Sequence, residues 1–203
     1  ISLIKPSPNI SSRKNIYGYK DDFYRFLYFS YASLELLKQK NEKTDILHLH
    51  DWHTSACSLF LKTIFSKDKP FIKKIVLTIH NLKYQGTGKK SDLTKFGIEK
   101  TIPQIKGGTK NSINLLKAGI IYSNAIVTVS PTYSREILTK KFGNNLENLL
   151  KKYKNKLYGV LNGIDTNIWS PDKNPYIFEK YSKNDSSKKI QLAKEKNKNY
   201  LRQ

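Results

Sequence analysis

Residues 45–53 read Asp-Ile-Leu-His-Leu-His-Asp-Trp-His, an apolar strand pattern that ends abruptly in polar side chains. The mostly apolar run over residues 45–50 predicts a β-strand, and a helix is predicted over residues 54–65. The same order returns downstream, where a strand predicted over residues 74–79 is followed directly by His80-Asn81. A strand, a helix and a second strand in succession indicate a βαβ unit.

The alternation continues on both sides of this unit. Further helices are predicted over residues 21–39, 114–123, 131–140 and 146–153, further strands over 125–129 and 157–161, and a long polar loop over 86–108. Alternating strands and helices imply right-handed crossovers and a parallel sheet. The predicted fold class is therefore α/β, a Rossmann-like parallel sheet with helices on both faces.

Polar or small residues follow four of the predicted strands. They are His50-Asp51-Trp52-His53, His80-Asn81, Ser130-Pro131 and Asn162-Gly163-Ile164-Asp165. Open parallel sheets bind ligands at the carboxyl ends of their strands. All four histidines of the chain also lie in or beside the first two of these segments. The sequence therefore predicts one site at this edge of the sheet.

The histidine cluster invites a second interpretation, a zinc-dependent hydrolase. Such enzymes use H-x-H-x-D-H, whereas this chain has H-x-H-D-x-H, which points the carboxylate elsewhere. The pattern therefore disfavours a metal site. Two roles stay open for Asp51, as an acceptor for sugar hydroxyls or as a cap of the following helix. His53 has a packing role as its alternative, because it lies close to the start of that helix.

The chain of 203 residues carries a formal net charge of +21, which raises nucleic acid or an anionic membrane as partners. The lysines are spread along the whole chain, however, and Lys, Asn and Ile are abundant everywhere. A compositional bias explains this better than a basic binding face. No apolar run approaches the roughly 18 residues of a membrane span. We therefore expect neither nucleic acid nor membrane as a partner.

Several segments, in order along the chain, resemble those of glycogen and starch synthases. They are residues 19–29 (Y-x-D-N-x-x-R-F, with Asp22 in place of Asn), 50–53 (H-D-W-H), 78–86 (T-[VI]-H-N-L-x-Y-Q-G), 114–119 (F-L-K-A-G), 125–136 (T-V-S-P-T-Y-x-x-E-I) and 161–171 (L-N-G-[IV]-D-x-x-x-W-x-P). Any one of these matches is weak, but their common order is specific. Another glycosyltransferase of the same fold, such as a sucrose synthase-like enzyme, is the nearest alternative.

The resemblance implies a two-domain GT-B glycosyltransferase, of which residues 1–175 form a partial N-terminal domain. Residues 176–203 are then a Lys-rich tail that leads toward a C-terminal domain. Such an enzyme transfers glucose from ADP-glucose or UDP-glucose to the non-reducing end of an α-1,4-glucan, with retention and without metal or cofactor. The expected location is the cytoplasm of a bacterium or the plastid of a eukaryote.

The resemblance also implies roles for individual residues. His80 and Asp51 are the expected catalytic residues, and the expected substrate-binding residues are Tyr19, Trp52, His53, Asn81, Gln85, Asn162, Gly163 and Asp165. The family's K-x-G-G-L loop and the diphosphate-binding residues of its second domain are not in this sequence. We therefore expect these 203 residues alone to be inactive and to bind the donor weakly.

Overall fold

The computed structural model describes residues 14–68, 70–99 and 102–203. The first residues of the predicted N-terminal domain, 1–13, lie outside this part. In chain order the elements are α1 Asp22–Gln39, β1 Thr44–His50, α2 Asp51–Lys62, β2 Ile72–Ile79, β3 Thr87–Lys89, α3 Ser91–Thr94, β4 Ser112–Asn114, α4 Leu115–Tyr122, β5 Ala125–Thr128, α5 Pro131–Glu136, α6 Glu147–Lys152, β6 Leu157–Gly159 and α7 Ser187–Tyr200.

Four strands form one parallel sheet in the order β1-β2-β5-β6. Leu49, Leu77 and Ile126 lie side by side in register across the first three strands and are almost fully buried. Burial of an aliphatic side chain of this size contributes about 1.5–3 kcal/mol. The predicted α/β class, a parallel sheet flanked by helices, is confirmed.

Helices α2 and α4 approach each other closely because small residues meet between them. A Cβ added to Gly119 would lie 2.5 Å from Ser55 Oγ and 2.9 Å from Leu77 Cδ2. Ser55 and Ser58 are fully buried, and each satisfies its hydroxyl on a carbonyl of α2 itself, Asp51 O and Ser55 O respectively. Small side chains therefore set the distance between this helix pair and the strands.

The structure corrects the prediction of a single polar loop over residues 86–108. This stretch contains strand β3, which pairs antiparallel with β4, and the short helix α3. Gly88 lies against the Phe23 ring, so closely that an added Cβ would be 2.2 Å from Phe23 Cγ. Three-residue strands carry too few residues for alternation to be recognised in a sequence.

Three helix boundaries also differ from prediction by three residues or more. One is the end of α2, which lies at Lys62 rather than at residue 65. Helix α2 begins at Asp51 rather than at residue 54, and α5 ends at Glu136 rather than near residue 140. The early start of α2 follows from a local conformation, since Asp51 has a φ of 52°. A left-handed residue turns the chain directly from the strand into the helix, and no residue pattern announces it.

The chain divides into two compact units, Ile1–Leu161 and Asn162–Gln203. The sequence predicted a domain boundary after residue 175. That boundary was drawn from the change in composition, whereas the two units are distinguished by their internal contacts, so it stays a prediction. In the second unit, Ser186 caps the start of α7, because its side chain accepts from the Lys189 N–H. Among the described residues, no helix is long and apolar enough to span a lipid bilayer.

The contact between Gly86 and Trp52 yields a stability prediction. Gly86 has a φ of +60°, and an added Cβ would lie 2.2 Å from Trp52 Cε3. We expect Gly86→Ala to lower the free energy of unfolding by about 2–3 kcal/mol, from backbone strain and steric overlap together. Urea unfolding measures this. Gly108→Ala is the matched control, because no atom lies within 4 Å of its added Cβ, and an equal loss in both variants would contradict the assignment.

Candidate functional site

The parallel register of β1 and β2 brings the two polar segments together. His50 is paired with Thr78, so the residues that follow the two strands, Asp51 and His80, emerge at the same edge of the sheet. This edge is the carboxyl end of both strands, where open α/β sheets bind their ligands. The sequence predicted this juxtaposition, and the structure shows it.

The carboxylate of Asp51 joins the two strand ends. Asp51 Oδ1 accepts hydrogen bonds from the backbone N–H of His80 at 2.8 Å and of Asn81 at 3.3 Å. Backbone amides that bond to a carboxylate form stronger hydrogen bonds than neutral pairs do. The described bonds of this oxygen thus go to the turn after β2 rather than to the helix that Asp51 begins. No side-chain bond caps α2, so the capping role is not observed, and the role as an acceptor for sugar hydroxyls stays a prediction.

Three histidines form a continuous chain on one face of the sheet. His50 Nδ1 lies 3.0 Å from His80 Nε2, and the His48 and His50 ring centres are 4.3 Å apart. At the other end, His48 Nε2 lies 2.7 Å from Thr78 Oγ1. His50 is exposed overall, but partial burial of its ring is the main cause that lowers its pKa, and the neighbouring His48 and His80 lower it further against the opposing charge of Asp51. The lowered pKa favours the neutral form of His50.

The side chains of Asn81 and Gln85 shape the loop that carries His80. Asn81 Oδ1 accepts from the Lys83 N–H at 3.0 Å, which closes an Asx turn. Gln85 Nε2 donates to the carbonyls of Leu82 at 3.3 Å and Asn144 at 2.9 Å. Both amides are therefore engaged with the protein itself, and they hold the loop in place.

Two residues that were not among the predicted site residues, Asn114 and Tyr133, support this loop. Asn114 Nδ2 donates to Gln85 Oε1 at 2.6 Å, while its own Oδ1 caps α4 by accepting from the Lys117 N–H at 3.0 Å. The Tyr133 hydroxyl accepts from the Leu82 N–H at 3.0 Å. An Asn before an apolar helical run is a recognisable cap signal, but nothing in the sequence signals the long-range bond of Tyr133.

Trp52 and His53 pack against α1. The ring of Phe26 meets both nearly edge-on, with ring centres 5.2 Å from Trp52 and 4.6 Å from His53. Burial lowers the pKa of His53, and the carboxylates of Asp51 and Asp22 oppose that shift. The packing role that the sequence left open for His53 is thus present.

Tyr19 lies just before α1. Its N–H donates to Asp22 Oδ2 at 3.0 Å, and the Arg25 guanidinium lies 5.5 Å from the centre of its ring. Arg25 also lies 5.1 Å from the Phe26 ring, which contacts Trp52 and His53. Tyr19 is therefore linked to the Trp52–His53 pair through α1.

Asn162, Gly163 and Asp165 belong to the second compact unit. All three are exposed. Asp165 Oδ1 accepts from the N–H of Asn167 at 2.9 Å and of Ile168 at 3.3 Å, which forms a closed turn. In that unit, Asp165 organises the chain after the Asn-Gly pair.

The described residues contain neither a candidate metal centre nor a reactive thiol. Within residues 14–68, 70–99 and 102–203, no three His, Cys, Asp or Glu side chains are arranged so that they could hold a metal ion. Cys57 is buried, and burial raises the pKa of its thiol to about 11.

Comparison with known proteins finds relatives that are glycogen or starch synthases. The family described as Starch synthase catalytic domain matches residues 3–152. A glycogen synthase from Thermodesulfovibrio yellowstonii is 40% identical over 191 residues, covering 85% of this chain and 36% of that protein. The probable starch synthase 4 of Arabidopsis thaliana is 36% identical over 197 residues, covering 94% of this chain and 18% of the relative.

A solved structure agrees with these relatives. The catalytic domain of starch synthase IV from Arabidopsis thaliana, bound to ADP and acarbose, superposes with a TM-score of 0.74 at 37% identity. That match covers 94% of this chain and 38% of the solved one. The chain thus spans less than half the length of each of these relatives.

The Asp51 contact predicts a difference between two substitutions. Asp51→Ala removes the acceptor of two amides and places alanine at a φ of 52°, so we expect a loss of about 2–3 kcal/mol in the free energy of unfolding. Asp51→Asn keeps an oxygen acceptor and tolerates that φ, so it should lose less than about 1 kcal/mol. Urea unfolding and hydrogen exchange of the His80 amide measure both variants. Equal losses would contradict the contact's role.

The lowered pKa values of His50 and His53 predict that acid destabilises the fold. The unfolded chain binds more protons than the folded chain, so stability is full above about pH 6.5, the unfolded pKa, and falls as pH drops from there through the folded pKa. We expect the urea midpoint to be lower at pH 5.5 than at pH 7.5. His53→Phe keeps an aromatic ring against Phe26 and removes one titrating group, so its acid loss should be smaller. An unchanged acid loss would exclude His53 as a cause.

Proposed function

The chain belongs to the starch synthase catalytic domain family, and on that premise we propose that it forms the sugar-side part of a retaining glycosyltransferase. The proposed reaction transfers glucose from a nucleotide diphosphate donor to the non-reducing end of an α-1,4-glucan. ADP-glucose is the favoured donor, because the similar starch synthase IV structure holds ADP and ADP is what ADP-glucose leaves behind. UDP-glucose is the alternative. The proposed location is the cytoplasm in a bacterium or the plastid in a plant.

One observation carries the proposal: Asp51 binds the backbone of His80 and Asn81 at the carboxyl edge of a parallel sheet. Two hydrogen bonds to one carboxylate fix the His80 peptide before any ligand arrives. Glucosyl transfer develops positive charge on the sugar, and pre-oriented dipoles stabilise such charge at little reorganisation cost. We therefore assign the catalytic roles to His80, through its carbonyl and ring, and to Asp51.

Of the remaining predicted residues, some hold the His80 loop and others pack beside Asp51. Asn81 and Gln85 hold the loop that carries His80, and Trp52 and His53 pack beside Asp51 on α2. We propose that these residues, together with Tyr19, bind substrate chiefly by shaping the sugar pocket. Residues 161–165 resemble L-N-G-[IV]-D, and we extend substrate contact to Asn162, Gly163 and Asp165 on that resemblance.

A binding experiment tests the proposal with the chain itself. We expect ADP-glucose to bind weakly, with a Kd on the order of 1 mM, and to shift the amide NMR signals of His80 and Asn81 most. His80→Ala should weaken this binding at least severalfold. Lys74→Ala is the matched control, since Lys74 is an exposed cation near the other end of β2. We also expect no glucan extension by these 203 residues alone.

The same titration separates sugar recognition from attraction by the basic surface. Inorganic phosphate and ADP carry negative charge without glucose, so they serve as comparison ligands. Equal shifts from phosphate and ADP-glucose, spread over the lysines and insensitive to His80→Ala, would indicate charge attraction. That result would contradict the proposed sugar site.

A further inference from the structure

We propose that His50 is a positioning residue for His80. Its Nδ1 lone pair accepts the Nε2–H of His80, which holds the His80 ring in one tautomer and leaves His80 Nδ1 as an acceptor for a sugar hydroxyl. The proposal rests on the proposed function of His80 in sugar binding. His50 belongs to the H-D-W-H segment, but the family resemblance implied no role for it.

The geometry of the two rings is that of a straight hydrogen bond. Since a ring nitrogen lies about 1.2 Å from its ring centre, a straight bond with 3.0 Å between the nitrogens puts the centres about 5.4 Å apart. The observed centre distance is 5.3 Å, with the ring planes 26° apart. The rings of His50 and His80 therefore lie edge to edge, in nearly the same plane.

This edge-to-edge contact limits the protonation of the pair. A hydrogen bond needs one N–H and one lone pair, so two fully protonated rings would point two N–H groups at each other. Burial and the neighbouring histidines lower the pKa of His50, which agrees with a ring that accepts. His50 and His80 therefore cannot both be charged while the contact lasts.

The direction of the bond follows from tautomer preference. If His80 Nε2 donates, both rings carry their proton on Nε2, the tautomer that neutral histidine side chains prefer. The reverse direction requires the less favoured Nδ1–H form on both rings. His48 fits the first pattern, since its Nε2 lies 2.7 Å from Thr78 Oγ1 and can donate to that hydroxyl. All three histidines of the chain on this face then share one tautomer.

The consequence concerns what His80 offers a ligand. With Nε2–H committed to His50, the remaining ring nitrogen of His80 is a lone pair, so it accepts from a hydroxyl group and does not donate. A ring that exchanges freely between tautomers would present an acceptor to the sugar hydroxyl only part of the time. Fixing the tautomer therefore orients the site before binding.

Side-chain ¹⁵N NMR of the chain at pH 7.5 tests this directly, because only four histidines need assignment. We expect His80 to show a protonated-type Nε2 signal and an unprotonated-type Nδ1 signal. In His50→Phe both signals should move toward each other as the tautomers mix. In His50→Asn the side-chain oxygen replaces the Nδ1 acceptor, so the wild-type pattern should return.

Two results would overturn the proposal: unchanged His80 signals in His50→Phe, or a protonated Nδ1 on His80 in the wild-type chain. The amide spectrum verifies folding, and His50 is exposed, so substitution should be tolerated. If His50→Phe fails to fold, His50→Gln takes its place, because its longer side chain moves the amide away from the Nδ1 position. Neither result bears on glucosyl transfer, which the ADP-glucose titration tests separately.

Discussion

The hydrogen bonds from the His80 and Asn81 amides to the Asp51 carboxylate are the constraint on which the site depends. Parallel pairing of β1 and β2 brings the strand ends level, but it does not set the path of either chain beyond the sheet. The carboxylate ties the turn after β2 to the start of α2, since Asp51 is the first residue of α2 and its Oδ1 accepts from the amides of that turn. The backbone of Asp51 is left-handed, with a φ of 52°, a conformation that Asp adopts more readily than most residues other than glycine.

Local pattern was enough to predict the sheet and the place of the site, but not the bonds within the site. Alternating apolar strands and helices predicted the parallel sheet, and His50-Asp51 and His80-Asn81 were predicted to share an edge. The φ of Asp51, the Tyr133 bond to Leu82 and the Asn114 bond to Gln85 were not predictable. The two bonds join residues that are 29 or more positions apart, and Asp51 contacts residues equally distant in the sequence. Sequence periodicity reports only on neighbours within a few positions.

The strong positive charge is largely separate from this architecture, and Lys156 shows how a cation is used when it does have a structural role. Its ammonium is half-buried and donates to the carbonyls of Ile121 and Ser123, at the carboxyl end of α4. Burial lowers its pKa, while the helix end provides the acceptors that a buried cation needs. Most other lysines in the described part of the chain are exposed, which agrees with compositional bias as their origin.

A motif shared with a family combines residues for chemistry with residues for packing, and exposure separates the two. In the segment over residues 78–86, His80 and Asn81 are exposed, whereas Gln85 is half-buried and its amide is bound to the protein. Gly86 is restricted by the Trp52 ring against it. Packing alone therefore accounts for Gln85 and Gly86, but it does not account for an exposed His80 ring bonded to His50. The part of the motif that packing leaves unexplained is where substrate recognition is expected.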